Sequence, residues 1–392
     1  MYKTTKEENE VLTRVGRGTP MGELLRRYWW PVGISADLKD KPTFIRLLGE
    51  DLVLFRDGKG RPGVLEALCS HRRANLCLGN VEEKGLRCRY HGWLYDINGN
   101  VLDTPGEHPD SKLKESVHHL SYPVEELGGA IFTYLGPQPA PLLPRFDFLA
   151  ADEERIAFIV GFGDCNWLQC VENGLDAVHV SFTHQDVWTD MNRAPESLEH
   201  EETEWGLCYK AYRPGPRDDT YYYREHHNVM PGISIIQKGA RWSVPIDDTH
   251  NMQLQVRFFP ADRSKYGKFG DDKSFVGRQR KTIGWKAVRI EPYKEYKESD
   301  HPTLGYNFPT DISAGDATVL DSLGNIVDRE YEHLGPAIDE GIAQLRMMYL
   351  KQIDVVKAGN DPKGTIRDRS KNQLIIVPTH EKVIPRSQVM QK

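Results

Sequence analysis

The 392-residue sequence has no run of about 20 consecutive apolar residues, so no segment is expected to span a membrane. The first ten residues, Met1–Glu10, are polar and acidic and lack the apolar stretch of a secretory signal. There is no long basic run, and the net charge is −6, which argues against a nucleic-acid partner. Six cysteines are too few for a disulfide scaffold in a chain this long. The expectation is a reduced, cytoplasmic protein in which clustered Cys and His mean metal or catalysis. No G-x-G-x-x-G fingerprint follows a strand-like run, so a nucleotide cofactor is not expected here. What remains is an ordinary globular composition, 39% apolar and 28% charged, with length for two to three domains.

Three regions follow from the patterning. Residues 1–40 read as a helical lead-in packing on the catalytic domain, with Thr19 as N-cap, Pro20 at the first helical position, and Leu24, Leu25 and Tyr28 at helical spacing before Pro31. Residues 41–137 read as a compact all-β domain. Its strand-like runs are Phe44–Leu48, Leu52–Phe55, Val64–Leu68, Trp93–Ile97 and Ala130–Tyr134, and Asn98-Gly99 gives a hairpin signal. A Pro-rich crossover, Gly136–Pro144, leads into residues 138–392. There a possible helix at Asn166–Phe182 precedes strand-like runs at Cys208–Tyr212, Ile233–Gln237, Trp242–Ile246 and Met252–Phe259. An amphipathic helix is expected at Pro336–Lys357, with Ile338, Ile342, Leu345, Tyr349 and Ile353 on its apolar face. Strands followed by helices suggest an α+β domain.

Two clusters carry chemistry. Cys69-Ser70-His71 is followed, after sixteen residues, by Cys88-Arg89-Tyr90-His91. Two Cys and two His suit structural zinc, a [2Fe–2S] cluster of Rieske type, or chance burial. Zinc ligands usually come as like pairs; here each loop offers one thiolate and one imidazole, which is what two facing loops would give to two irons. Tyr90 and Trp93 are expected to shield the sulfurs.

The second cluster lies in Asn166–His184. Asp176 and His179 are three apart and would share a helical face. His184, five further on, would point about 140° away on an ideal helix, so the helix must end or distort between the two His if both bind one metal. Two His and a carboxylate form the facial triad of non-haem Fe(II) oxygenases. Asp176 is better placed as partner to His179, which leaves Asp311, Asp316, Asp321 and Asp328 as candidates for the carboxylate.

In this order and at this separation, the two clusters resemble those of the oxygenase (alpha) subunits of Rieske non-haem iron aromatic ring-hydroxylating oxygenases, most of all the phthalate-dioxygenase-like branch. Gly18–Trp29, Leu48–Asp57, Gly85–Trp93, Val244–His250, Gly315-Asp316, Asp321–Gly324 and Asp328–Gly335 carry the resemblance. It runs from about Leu12 to Leu350 and is weaker over Arg193–Gly232 and Pro260–Tyr306. Asn173 stands where the branch has Gly after Glu172.

The resemblance implies a Rieske [2Fe–2S] domain followed by an α+β helix-grip catalytic domain with an antiparallel sheet and long C-terminal helix. It implies Cys69 and Cys88 on one cluster iron, His71 and His91 on the other, and a mononuclear Fe(II) held by His179, His184 and Asp316. Asp176 would be catalytic, linking His179 to His91 of the partner subunit in a homotrimer or stacked homohexamer. Electrons would come from NAD(P)H through a separate flavin and iron–sulfur reductase. The implied reaction is O2-dependent cis-dihydroxylation or O-demethylation of an aromatic, carboxylated substrate. Arg193, Lys210, Arg213, Arg217, Lys238, Arg241 and Arg257 are candidate carboxylate anchors, since cationic side chains pair with carboxylates. Ile235, Trp242, Val244 and Val256 are candidate pocket walls. The competing reading is an iron–sulfur electron-transfer protein without oxygenase chemistry.

Overall fold

The computed structural model describes residues 2–185, 191–236, 239–259 and 312–389. Two helices open the chain, α1 (Lys6–Thr13) and α2 (Pro20–Leu25). Thr5 and Glu8 cap α1 reciprocally, and Thr19 Oγ accepts from Gly22 N at 3.1 Å to cap α2, with Pro20 in its first turn. The expected helix up to Pro31 is cut short. Bulky Trp29, Trp30 and Val32 lie in a strand, β1 (Trp29–Ile34), which pairs antiparallel with β11 far along the chain. The lead-in thus contributes to the β architecture as well as to helix packing.

The β domain continues with β2 (Thr43–Leu47), β3 (Glu50–Arg56), β4 (Pro62–Glu66), β5 (Asn80–Glu82), β6 (Gly85–Arg87), β7 (Leu94–Tyr95), β8 (Val101–Asp103), β9 (Ser121–Tyr122), β10 (Val124–Leu127) and β11 (Ala130–Tyr134). These form three small antiparallel sheets, ordered β1-β11-β10, β2-β3-β4-β9 and β5-β6-β7-β8. The β7–β8 hairpin turns at Asn98-Gly99 as its sequence demands. Gly99 has φ +83°, and a Cβ there would meet His119 O at 2.0 Å, so only glycine fits. A short helix, α3 (Leu113–Ser116), packs beside β8.

Beyond the crossover come α4 (Asp147–Ala150) and β12 (Glu154–Gly163), then α5 (Trp167–Leu175) and α6 (Val180–Thr183). The strands β13 (Ser197–Glu202), β14 (Gly206–Pro214), β15 (Thr220–Val229), β16 (Ile233–Ile236), β17 (Gly239–Pro245) and β18 (Asn251–Phe259) follow, then α7 (Ile312–Ser322), α8 (Glu340–Lys357) and β19 (Glu381–Pro385). The sheet order is β12-β18-β17-β16-β15-β14-β13, with β19 on the other half of the β15 edge that β16 uses. Every pairing in it is antiparallel. The architecture is therefore α+β, as expected.

Helix α8 begins later than its apolar pattern suggests. Asp339 Oδ2 accepts from Gly335 N at 2.7 Å, holding 335–339 as a turn, and Ile338 is left 49% exposed. Ile342, Leu345, Tyr349, Ile353 and Val356, three or four apart, form its buried stripe. Helix α5 packs between this helix and the sheet, and Trp167, Trp242 and Tyr349 are fully buried in the shared core. Among the described residues, no helix is long and apolar enough to cross a membrane.

Candidate metal centres

The two Cys–His segments face each other and share one backbone plan. Cys69 N–H donates to Ala74 O (2.9 Å), and Arg73 N–H returns to Cys69 O (2.8 Å). Cys88 N–H donates to Trp93 O (2.8 Å), and Gly92 N–H returns to Cys88 O (3.0 Å). The residue four after each Cys turns through positive φ, 61° at Arg73 and 77° at Gly92. Glycine does this at no steric cost; Arg73 is held there by Glu66, at 3.0 Å, and by Leu68 O.

The turns bury both cysteines and present both imidazoles toward the surface. The His71 and His91 rings lie 4.6 Å apart, nearly edge to face. Trp93 is buried and stacks flat on His71 at 4.8 Å. Tyr90 does not shield the sulfurs as expected: it is 59% exposed and leans on His91, because its turn faces outward.

Behind the cysteines lie two residues the sequence did not flag. Tyr95 Oη sits 3.0 Å from Cys69 Sγ, and buried His119 bridges Ser70 Oγ (2.7 Å) and Glu66 O (2.9 Å). Two buried sulfurs opposite two outer imidazoles fit a [2Fe–2S] unit with unlike irons, and a hydrogen bond to a sulfur tunes such a centre. Tyr95 follows Trp93 at strand spacing, and that alternation is the one sequence signal for it.

The second candidate centre departs from the expected helix. α5 ends at Leu175, with Asp176 as its C-cap, so Asp176 and His179 do not share a helical face. Asp176 Oδ1 accepts from Val178 N (2.7 Å) and His179 N (3.2 Å), starting a new turn, and α6 begins after His179. The chain therefore breaks before His179, and the short α6 ends in turn at Thr183, between the two His as expected, with His184 as its C-cap. Buried Arg213 on β14 braces this break by donating to Ala177 O.

The break swings His179 and His184 together, their ring centroids 5.5 Å apart and nearly perpendicular. Asp316, from α7, completes the group: its Oδ1 lies 2.9 Å from His184 Nε2 and 3.6 Å from His179 Nε2. One donor atom from each lies within 4.8 Å of the others, a set that suits a single divalent ion with open positions. Of the other aspartates considered, Asp321 lines the neighbouring cavity, Asp328 caps the turn Arg329–Tyr331, and Asp311 lies outside the described residues. Asn173, the departure from the branch pattern, donates to Asp316 Oδ1 at 3.4 Å.

The His179 pKa is lowered by burial, against the pull of Asp316 and Asp176, which favours the neutral ring a metal needs. His179 Nδ1 lies 2.8 Å from Asp176 O, which leaves Nε2 for the ion. A cavity of about 110 Å³ opens beside the triad, lined among others by Val160, Phe162, Leu320, Tyr209, His226 and Arg241.

Of the expected cationic anchors among the described residues, only Arg241 lines this cavity; Arg224, which was not expected, lines it as well. Arg193 binds Pro214 O and Gly215 O, Lys210 pairs with Glu201, Arg213 holds the turn, and Arg217 pairs with Asp219. Arg257 is not among the lining residues, and Lys238 lies outside the described residues. Ile235, Trp242, Val244 and Val256 are buried core residues, not walls of this cavity.

Beneath the centre, Glu172 of α5 receives Arg329 Nη2 at 2.8 Å and Arg346 Nε at 2.7 Å. Both arginines are almost fully buried, and they also hold Asn9 and Thr4 of the N-terminal segment. No spacing in the sequence announces this network, because its members are far apart in the chain.

A β domain with two facing Cys–His loops, joined to an antiparallel-sheet domain with a two-His, one-Asp triad beside a cavity, defines a protein with two candidate iron centres. Residues 28–123 match the family model of the Rieske [2Fe-2S] domain. The chain is 33% identical to the 5,5'-dehydrodivanillate O-demethylase oxygenase subunit of Sphingobium sp., over 95% of this chain and 86% of that protein. It is 30% identical to the phthalate 4,5-dioxygenase oxygenase subunit of Pseudomonas putida, over 92% of this chain and 89% of that one. A solved complex of carbazole-bound oxygenase and ferredoxin of carbazole 1,9a-dioxygenase shares the fold, with TM-score 0.59, 18% identity and coverage of 95% and 98%. The chain belongs to the Rieske-type oxygenases, as an oxygenase subunit of a multicomponent system. Kinship along nearly the whole chain leaves the electron-carrier reading without support.

Proposed function

We propose that this chain is the terminal component that oxidises an aromatic carboxylate with O2, by cis-dihydroxylation or O-demethylation. The observation that carries the reading is the convergence of His179, His184 and Asp316 beside a cavity that also receives Arg241. Cys69 and Cys88 would hold one cluster iron, His71 and His91 the other, and His179, His184 and Asp316 a mononuclear Fe(II). When bound, these groups supply electron transfer and O2 activation.

The chain's own residues position and select. The Asp176 carbonyl orients His179, and Asn173 restrains Asp316. Arg241, whose Nε is buried without a hydrogen-bond partner among the described residues, offers a fork to a substrate carboxylate, while Val160, Phe162 and Leu320 supply apolar wall for the ring. The names of the two relatives, which act on 5,5'-dehydrodivanillate and on phthalate, support the aromatic carboxylate class.

Asp176 keeps Oδ1 on its own turn, and its side chain is 30% exposed, which suits a link to His91 of the partner subunit in a homotrimer or stacked homohexamer. Electrons would come from NAD(P)H through a cytoplasmic flavin and iron–sulfur reductase or a ferredoxin, the latter supported by the carbazole dioxygenase complex.

The test is iron counting paired with product analysis. Anaerobically reconstituted protein should hold three irons per chain, and His184→Ala should hold two, keep the cluster spectrum and lose oxidation of a panel of aromatic acids. Three irons in the variant, or undiminished turnover, would overturn the proposal. Formaldehyde release separates demethylation from dihydroxylation.

A further inference from the structure

Strand β15 presents two faces. Arg224 and His226 line the cavity of the candidate iron centre, and His226 stacks on Tyr209 of β14 at 5.0 Å. Tyr223, Glu225 and His227 alternate with them and must point to the opposite face. Register places Cys208 of β14 directly across from His227. Cys208 and His227 are 2% and 7% exposed, and the Glu225 side chain is 14% exposed.

One Glu225 oxygen, Oε1, lies 3.4 Å from His227 Nε2 and 3.9 Å from Cys208 Sγ, and one donor atom from each residue lies within 4.8 Å of the others. The His227–Glu225 contact is long for a hydrogen bond, since N–H···O bonds cluster near about 2.9 Å, and the Cys208 thiol, a weak donor, reaches among the described residues only Glu225 Oε1 and Tyr209 O, the latter at 3.6 Å. For ligands of a tetrahedral zinc ion the N···O distance is nearly right, and the S···O distance needs only a small closure. Bond lengths of about 2.0 Å to N and O and about 2.3 Å to S put such donors about 3.3 to 3.5 Å apart.

Tyr223 Oη holds the other Glu225 oxygen at 3.0 Å, which turns Oε1 toward the Cys and His. His380 Nε2 lies 4.0 Å from that second oxygen.

We propose that Cys208, Glu225 and His227 form a second metal site, for a zinc-type divalent cation, on the face of the catalytic sheet away from the iron centre. The fourth position belongs to water or His380. Binding releases the Cys208 thiol proton to solvent and involves no electron transfer. The ion would clamp β14 to β15, the strands whose other face carries Tyr209, Arg224 and His226 into the cavity. This inference rests on the geometry of these residues and is independent of the oxygenase reading.

The test uses iron-loaded full-length protein, dialysed anaerobically against zinc chloride and desalted. One zinc per chain should remain, with iron content unchanged, and the zinc X-ray absorption edge should show a single sulfur neighbour at about 2.3 Å. Cys208→Ser should remove the sulfur signal, and His227→Ala should reduce retained zinc from one to none, each with the cluster spectrum intact. Zinc that fails to bind, that binds only by displacing iron, or that is retained equally by both variants would overturn the proposal.

Discussion

His179 Nδ1 lies 2.8 Å from the main-chain carbonyl of Asp176 and 3.8 Å from that residue's carboxylate. The ring is therefore oriented by backbone, and the carboxylate is spared for another task. Asp176→Asn keeps the carbonyl and still offers an amide oxygen to Val178 N and His179 N, but it removes the charge. Iron content is expected to be unchanged, while turnover falls by about 10- to 100-fold. Rapid-mixing measurement of cluster re-oxidation should locate the loss in electron transfer. Normal re-oxidation would remove Asp176 from the electron path.

Arg241 is the expected cation that reaches the cavity, and its Nη1 lies 3.8 Å from Asp316 Oδ2. Arg241→Met retains bulk and loses the fork. A charge-assisted bond is worth about 1.5 to 3 kcal/mol, so KM for an aromatic acid should rise about 10- to 100-fold, with less effect on an uncharged analogue of the same ring. Equal losses on both substrates would show a structural role instead.

Burial pushes the Glu172 carboxyl up, but Arg329 and Arg346 outweigh it and hold it below the usual range. Glu172→Gln would leave the buried Arg329 guanidinium without its carboxylate partner, while Arg346 keeps Glu332 at 2.6 Å. The expected loss of folding stability is about 3 to 5 kcal/mol, read by denaturant unfolding of iron-loaded protein. A change under about 1 kcal/mol would mean water replaces the carboxylate.

Burial, reinforced by the charge of Arg224, holds the His226 pKa well below the ordinary imidazole value. The folded state keeps this ring neutral, while the unfolded chain protonates it below about pH 6.5. Its contribution to stability is thus complete above that pH and is lost on acidification, by up to about 1.4 kcal/mol per pH unit, until the folded pKa is reached. His226→Gln should flatten the fall in Tm between about pH 7.5 and 5.5 by one proton's worth. An unchanged slope would contradict a neutral buried His226.

Chemistry confined to a few neighbouring residues is legible in the amino-acid order alone. Cys69-x-His71 and Cys88-x-x-His91 are short enough for local turns alone to set their geometry, and Asn98-Gly99 could make only one kind of hairpin. The alternating and helical apolar patterns locate most of the catalytic strands and the stripe of α8 for the same reason: period follows directly from backbone geometry. Expectation and structure part for two reasons. Trp29 and Trp30 look like the tail of a helix, yet they pair with distant β11, and the helix after Asn166 stops at Leu175 because a local preference, the Asp176 side chain accepting from the amides of Val178 and His179, overrides the helical pattern.

By itself, then, the sequence determined the two Cys–His loops, the pair His179 and His184, and an α+β order of elements. Residue spacing left four aspartates open and only the resemblance pointed to Asp316; the tertiary structure brings that acid to the pair, and it alone decided which arginines line the cavity and which charges neutralise each other in the core. Asp316, Arg241 and the group Glu172–Arg329–Arg346 each depend on elements remote along the chain. No local rule of spacing links them; packing of α5, α7 and α8 with the sheet does.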